Sequence, residues 1–392
     1  MKKQLLARFA CPICGGSPSL EVWETLGDEI TDGLLRCTCG EAFPVIGGVP
    51  RMLTGSLRSQ LHDDYPAFFM RHSRRLPPGL LSHDSSRTAA CRTQRSFGFE
   101  WTRFSEMRPA WEKNFWDYWA PHTPDFFRGR TVLDAGCGMG RHLYYAAQHA
   151  DEVIGLDFSR AVDAAHKNTR HLNAAHVVQA DLLHAPFRPE TFDIIYCLGV
   201  LHHLPNPEEG LFSLLKHLKP GGELRTYVYW DLEGAPRWKR ALLGLVTLMR
   251  RVTTRLPHRV LAWLSCPIAA GAWLSFVLPY CALSKSRFTR NLAETLPLKQ
   301  YSEYPFSVLL NDQFDRFSAP LEKRYRKAEV GRWLENSGLD EVQVTANSGW
   351  LGHGRKGRRT VDHEAARWSR TPPPMSRGSR HNSRSTIARS AF

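Results

Sequence analysis

The stretch Thr131–Ser159, TVLDAGCGMGRHLYYAAQHADEVIGLDFS, decides the fold. It opens as a short apolar strand, turns on Gly136, Gly138 and Gly140, passes through a helical pattern and returns to a second apolar strand ending at Asp157. A glycine turn between strand and helix lets backbone N–H groups approach a ligand that side chains would block. The spacing is GxGxG, which departs from the GxGxxG of dinucleotide folds. Asp134 stands directly before the turn, where it would repel a pyrophosphate and welcome an amino group. Asp157, seventeen residues after Gly140, can accept hydrogen bonds from two ribose hydroxyls.

The alternation continues downstream. AHVVQAD is a third strand, FDIIYCLGV a fourth and GELRTYVYW a fifth, with helical segments RAVDAAHKNTRHL and EEGLFSLLKHLKP between them, the second closed by Gly221 and Gly222. KAEVGRWLENSGLDEVQVTA adds a helix and a sixth strand, and GWLGHGRK a seventh. Short apolar strands separated by single helices predict a parallel α/β sheet covered on both faces, Rossmann-like in layout. Asp181 closes the third strand, so its carboxylate and the N–H of Leu182 can read an adenine edge while Phe158 or Leu182 covers the ring.

An amino-acid head, a ribose and an adenine in that order describe S-adenosylmethionine. LDAGCGMG (133–140), VIGLDFS (153–159), QADLLHAPF (179–187), FDIIYCLGVLHHLPNPEEGL (192–211) and KPGGEL (219–224) together resemble the class I S-adenosylmethionine-dependent methyltransferases of the type 11 kind. The resemblance implies a seven-stranded doubly wound sheet of order 3-2-1-4-5-7-6, with strand seven antiparallel. It also implies a cofactor site in which Asp134, Gly136, Cys137, Gly138 and Gly140 surround the methionine part. Asp157 would hold the ribose, Phe158, Asp181 and Leu182 would meet the adenine, and Leu198 and Gly199 would line the site beyond strand four. Methyl transfer is an in-line displacement at carbon, so aligning the acceptor and excluding water supply much of the catalysis. Where an acceptor proton must leave, His202 and His203 are the nearest base candidates; their alternative role is to shape the loop. Tyr229 and Trp230 are candidates to line the acceptor pocket.

The amino terminus carries a different chemistry. Cys11 and Cys14 come as CPIC, and Cys37 and Cys39 as CTC before Gly40. Four thiolates on two short knuckles suit one tetrahedral structural zinc, which would organise a segment too small to fold on its own core. A redox pair is the rival reading of CPIC, but GGSPSLEVW reads as turn then strand where such a pair needs a helix. CPICGG and LLRCTCGEAFPVIGGVPRML resemble Trm112-like zinc ribbons, from which the CTC gap departs by its tightness.

The expected organisation is a ribbon over 1–55, a linker with aromatic lead-in helices over 56–120, and the methyltransferase domain over 121–352 with a helical insert at 232–300. A basic tail without a core follows at 353–392. Asp312, Gln313 and Asp315 are expected to serve loop hydrogen bonding. The formal net charge is +14, and the tail alone holds ten Lys or Arg against two Asp or Glu. Such a tail suits a solvated extension, or an arm for nucleic acid. Residues 260–283 contain no charged side chain but are interrupted by Pro267 and Pro279, so a lid packed on the domain or a peripheral membrane contact is expected ahead of a true span. A cytoplasmic location, with membrane association through 260–283, is the expectation. The expected acceptor is a small, apolar or lipid-like molecule; an RNA or other nucleic-acid acceptor and a non-catalytic S-adenosylmethionine-binding protein are the alternatives.

Overall fold

The computed structural model describes residues 1–81 and 88–357; the expected basic tail from Arg358 onward lies outside the described residues. Strands β1 (Ser19–Leu26), β2 (Glu29–Arg36), β3 (Ala42–Ile46) and β4 (Val49–Pro50) form an antiparallel ribbon in that spatial order. β3 is buried throughout because its two faces are used differently. Phe43 and Val45 join the main core, while Ala42 and Ile46 pack with Leu34 and Leu53 against the helices that follow.

Those helices replace the expected linker. Gly55–Arg58, Gln60–Asp64 and Pro66–His72 bury Leu57, Leu61, Phe68 and Phe69 in one cluster, and the Ala89–Arg103 and Ala110–Trp119 helices come next. Each of the first three is only one or two turns long, too short for its periodicity to stand out among Pro, Ser, His and Arg.

The main sheet contains β5 (Thr131–Ala135), β6 (Glu152–Asp157), β7 (Ala175–Gln179), β8 (Phe192–Leu198), β9 (Leu218–Val228), β10 (Leu339–Ala346) and β11 (Trp350–Lys356). Their spatial order is β10-β11-β9-β8-β5-β6-β7, and β11 runs antiparallel to both of its neighbours. β11 corrects the start expected for the tail: His353 pairs with Arg225 and Gln343, so 353–356 belong to the sheet. Pairing on both sides satisfies a backbone whose glycines weaken the strand signal. β9 carries Gly221 and Gly222 within it, where the register with β8 shifts between Phe192 and Ile194, so these glycines do not cap a helix.

The ribbon extends the sheet at the β7 edge. Arg51 bridges Gln179 in parallel and Met52 N–H donates to the Gln179 carbonyl at 2.7 Å. The Arg51 guanidinium is buried and donates to Gln179 Oε1 (3.1 Å), the Ile46 carbonyl (3.1 Å) and Asp163 Oδ1 (2.6 Å), over the Tyr65 ring. A buried cation is tolerated only when paired this fully.

The insert is helical. Arg237–Thr253 and His258–Ala272 are followed by a π-helical turn at Trp273–Val277 and by Leu278–Leu283. Pro267 sits inside the second helix, and the π turn falls just before Pro279, whose missing N–H the wider turn accommodates. Phe306–Ser318 then forms a helix where a polar loop is expected. Its core face holds Leu309, Phe314 and Phe317, and polar residues occupy another face.

Candidate functional site

A cleft of about 1230 Å³ opens at the carboxyl ends of the parallel strands. Open α/β sheets bind ligands at this edge. Its floor is the loop after β5. Gly136 has φ +90°, and a Cβ there would fall 2.2 Å from a Val200 methyl. Gly138 has φ +52° and faces the Trp101 ring, 3.5 Å from where a Cβ would sit. The loop is thus pinned between β8 and the Ala89–Arg103 helix.

Asp157 ties this loop to β6. Its Oδ2 accepts the Gly138 N–H at 3.1 Å, while Oδ1 accepts the Ser159 N–H at 2.8 Å and the Ser159 hydroxyl at 2.7 Å. Gly136, Cys137, Gly138, Asp157, Phe158, Asp181, Leu182, Leu198 and Gly199 all line the cleft. Asp181 Oδ1 accepts the Leu183 N–H at 3.0 Å, which fixes the turn after β7. A Cβ on Gly199 would meet nothing within 4 Å, so the floor beyond β8 is open to a ligand.

Asp134 and Gly140 are not brought into the cleft. Asp134 is buried beside Tyr196, and burial pushes its carboxyl up to about 8, so it is largely uncharged at neutral pH. Among the described residues its Oδ2 has no hydrogen-bond partner. Gly140 instead starts the Arg141–Ala146 helix in a left-handed conformation.

The two histidines separate. His202 is buried, stacks on Tyr229 with ring centroids 3.9 Å apart, makes no ring hydrogen bond among the described residues and does not line the cleft. Burial, then the neighbouring His203, holds it neutral. His203 does line the cleft, and its Nδ1–H donates to the Leu321 carbonyl at 2.7 Å. Burial lowers its pKa to about 4, which leaves Nε2 a weak base. Of the two residues after β9, Tyr229 lines the cleft, whereas Trp230 packs against Trp350.

Glu100 is a site residue that the sequence pattern does not single out, and Asp312 and Asp315, expected to serve loop hydrogen bonding, join it in the cleft wall. Val308, Asn311, Asp312 and Asp315 follow helical spacing and together line the cleft wall facing Glu100. Among the described residues, both Glu100 oxygens and Asp315 Oδ1 are buried without a hydrogen-bond partner. Burial raises all three carboxyls, Asp312 and Asp315 to about 6, with Asp315 adding to the effect on Glu100 and Glu322 to that on Asp315. Asp312 accepts the Tyr301 hydroxyl, and Asp315 Oδ2 accepts the Tyr229 hydroxyl at 3.3 Å. A buried polar group without a partner is costly, so this wall is built to meet hydrogen-bond donors.

The four ribbon cysteines converge. Their Sγ atoms lie within 4.8 Å of one another, with Cys11 to Cys39 at 3.8 Å and Cys14 to Cys37 at 3.4 Å. Thiolates about 2.3 Å from a central zinc would sit roughly 3.8 Å apart, so the donor set fits a tetrahedral ion.

Residues 133–226 match the family model described as a methyltransferase domain. The fold is that of the class I S-adenosylmethionine-dependent methyltransferases. Over 249 residues the chain is 28% identical to an uncharacterized protein of Synechococcus, covering 60% of this chain and 55% of the relative. Over 123 residues it is 37% identical to the tRNA U34 carboxymethyltransferase of Pseudoalteromonas translucida, covering 31% of this chain and 37% of that enzyme. A solved SAM dependent methyltransferase from Aquifex aeolicus is 16% identical, with 69% of this chain and 98% of that one covered and a TM-score of 0.34. The chain therefore spans about half or less of the curated relatives it matches.

Proposed function

We propose that this protein is an S-adenosylmethionine-dependent methyltransferase whose acceptor sits between the glycine loop and the Glu100–Asp312–Asp315 wall. One observation carries the reading: the Asp157-braced loop and the three buried carboxyls line the same cleft. When bound, S-adenosylmethionine supplies an electrophilic methyl on a sulfonium. Gly136 and Gly138 would leave room for its amino-acid end, Asp157 would accept from the ribose, and Asp181 with Leu182 would meet the adenine. Trp101 packs on the loop at Gly138, and Phe97 lines the same cleft.

The acceptor's reacting end is a hydroxyl or an amine, because buried carboxyls with unfilled acceptor positions favour such donors. Asp315, with its pKa raised to about 6, is matched to taking a proton near neutrality, a task for which His203 is a weak base. The rest of a small acceptor lies against Tyr118, Tyr227 and Tyr304 on the apolar side of the cleft.

A nucleic-acid acceptor is the second reading, and the relatives favour it. The tRNA U34 carboxymethyltransferases of Pseudoalteromonas, Proteus, Klebsiella and Geobacter are 34–37% identical over their matched segments. The ribbon's four cysteines hold structural zinc in either case, and its Trm112-like character makes it a partner-facing module beside β7.

The deciding experiment incubates the protein with donor carrying a labelled methyl and separate pools of RNA, lipid and small metabolites. Label in the small-molecule or lipid pool supports the first reading; label confined to RNA establishes the second. No transfer to any pool, with donor binding intact, would point to a binding protein.

A further inference from the structure

Between Glu233 and Glu294 the chain has no Asp or Glu and ten Lys or Arg. Within this run the Arg237–Thr253 helix has no buried residue. Its inner edge is nonetheless fixed: Val246 packs toward Phe314 and Phe317, Thr253 donates to the Phe317 carbonyl at 2.9 Å, and Arg250 pairs with Glu322. The flank roughly a quarter-turn round the helix carries a second apolar stripe. Trp238, Leu242, Leu245, Met249 and Val252 recur at alternating steps of four and three, and all are exposed, Trp238 by 57% and Leu245 by 54%. Such spacing places them along one side of the helix.

The next helical element also leaves apolar side chains exposed. His258–Leu283 is long and apolar enough to cross a membrane by length and composition, yet it is anchored to the domain through Leu261, Ala262, Ala269 and Val277. Only 28% of its most apolar stretch is buried, and Trp263 is 73% exposed. Phe288, between Arg287 and Arg290, is 82% exposed.

We propose that the exposed stripe of Arg237–Thr253, together with Trp263 and Phe288, is a membrane-docking face that lies in the plane of an anionic lipid surface. An amphipathic helix with large exposed apolar side chains and a basic flank inserts its apolar side to the level of the acyl boundary while its cations meet anionic headgroups. A second copy of this chain is a poor occupant, because pairing two acid-free basic faces brings like charges together. A transbilayer path does not suit His258–Leu283 either, since its inner side is committed to the Phe306–Ser318 helix. The docked face reaches the site: Arg250 also donates to the Arg316 and Ala319 carbonyls, and Arg316 and Glu322 line the cleft beside Asp315. The inference stands on residues outside the donor site and holds whichever acceptor is methylated.

The test is flotation of the full chain with vesicles of phosphatidylcholine alone or with about a third phosphatidylglycerol, in low and high salt and without methyl donor. The triple variant Leu242→Glu, Leu245→Glu, Met249→Glu is compared at matched Tm; Val252→Glu alone is the fallback should the triple variant not fold. The expected result is salt-sensitive binding to the anionic vesicles, reduced on the order of 100-fold in the triple variant and about 10-fold in the single one. Equal binding by wild type and variants would overturn the proposal and assign the attachment to the basic carboxyl-terminal segment. No vesicle binding, or a wild-type dimer in solution that the variants abolish without any vesicle binding, would overturn it as well.

Discussion

Asp157 Oδ2 accepts the backbone N–H of Gly138 at 3.1 Å, so the residue expected to hold the ribose also holds the loop that admits the methionine end. The same carboxylate takes two hydrogen bonds from Ser159. Asp157→Ala therefore acts twice. Calorimetric titration with S-adenosylmethionine is expected to show a Kd raised at least about 100-fold, with unfolding free energy lowered by about 1–3 kcal/mol. Unchanged affinity in a folded variant would remove Asp157 from the donor site.

The two neighbouring glycines should respond differently. Gly136→Ala drives a methyl to 2.2 Å from Val200 at φ +90°, whereas Gly138→Ala meets only ordinary contact with Trp101 at φ +52°. Urea unfolding is expected to give a loss of about 2–4 kcal/mol for the first and about 1 kcal/mol for the second. Gly138→Ala should still weaken donor binding, because it adds bulk to a loop that lines the cleft. Equal stability losses would mean that the loop relaxes away from β8.

How much of this site the sequence discloses depends on how local each signal is. The glycine loop, Asp157 and Asp181 lie within one strand–turn–helix repeat, so their spacing fixes their place. Asp134 shares that repeat and lies buried beside Tyr196, an environment that the local spacing does not disclose. His202 and His203 are adjacent, yet a short 3-10 turn at Leu201–His203 sends one under Tyr229 and the other to the cleft. Glu100 and Asp315 are 215 positions apart, and only the folded insert brings them to one wall. Each had a local clue: Glu100 is a lone acid on an aromatic helix face, and Asp312 and Asp315 keep helical spacing with Val308 and Asn311.

Metal analysis of the purified chain is expected to give one zinc held by Cys11, Cys14, Cys37 and Cys39. The Cys11→Ser, Cys14→Ser double variant should lose it. Because Arg51 and Met52 join the ribbon to β7, its loss should also expose the sheet edge and lower Tm. Retained zinc in the double variant would assign the metal to other ligands.

Asp312 gives a pH signature of stability. Its carboxyl titrates near 6 in the folded protein against an ordinary 3.8, because burial disfavours the charge. The folded state binds the extra proton, so this contribution is complete below about pH 4 and is lost as pH rises through 6. Buried His176 and His203, lowered to about 4, act oppositely, their contribution being present above 6.5 and lost as pH falls. The measurable quantity is thus the difference between wild type and Asp312→Asn in the absence of ligand. The wild type's unfolding free energy relative to the variant should fall by about 1–3 kcal/mol from pH 4 to 7. A flat difference would mean that water reaches the group and relieves its burial.

The last prediction separates the carboxyls from the histidine in catalysis. His203 has its Nδ1–H committed to Leu321 and a pKa near 4, while Asp315 titrates near 6 with one oxygen unpartnered among the described residues. If Asp315 takes the acceptor proton, kcat should rise with pH through about 6 and level off in the wild type. Asp315→Asn should remove that limb and lower kcat by about 100-fold, the usual scale for a lost general base, with donor affinity unchanged. His203→Asn, which keeps a donor for the Leu321 carbonyl, should cost less than about 10-fold and leave the pH limb in place. The opposite ranking, with the limb abolished in His203→Asn and retained in Asp315→Asn, would return the proton to the histidine and reduce the acidic wall to acceptor recognition.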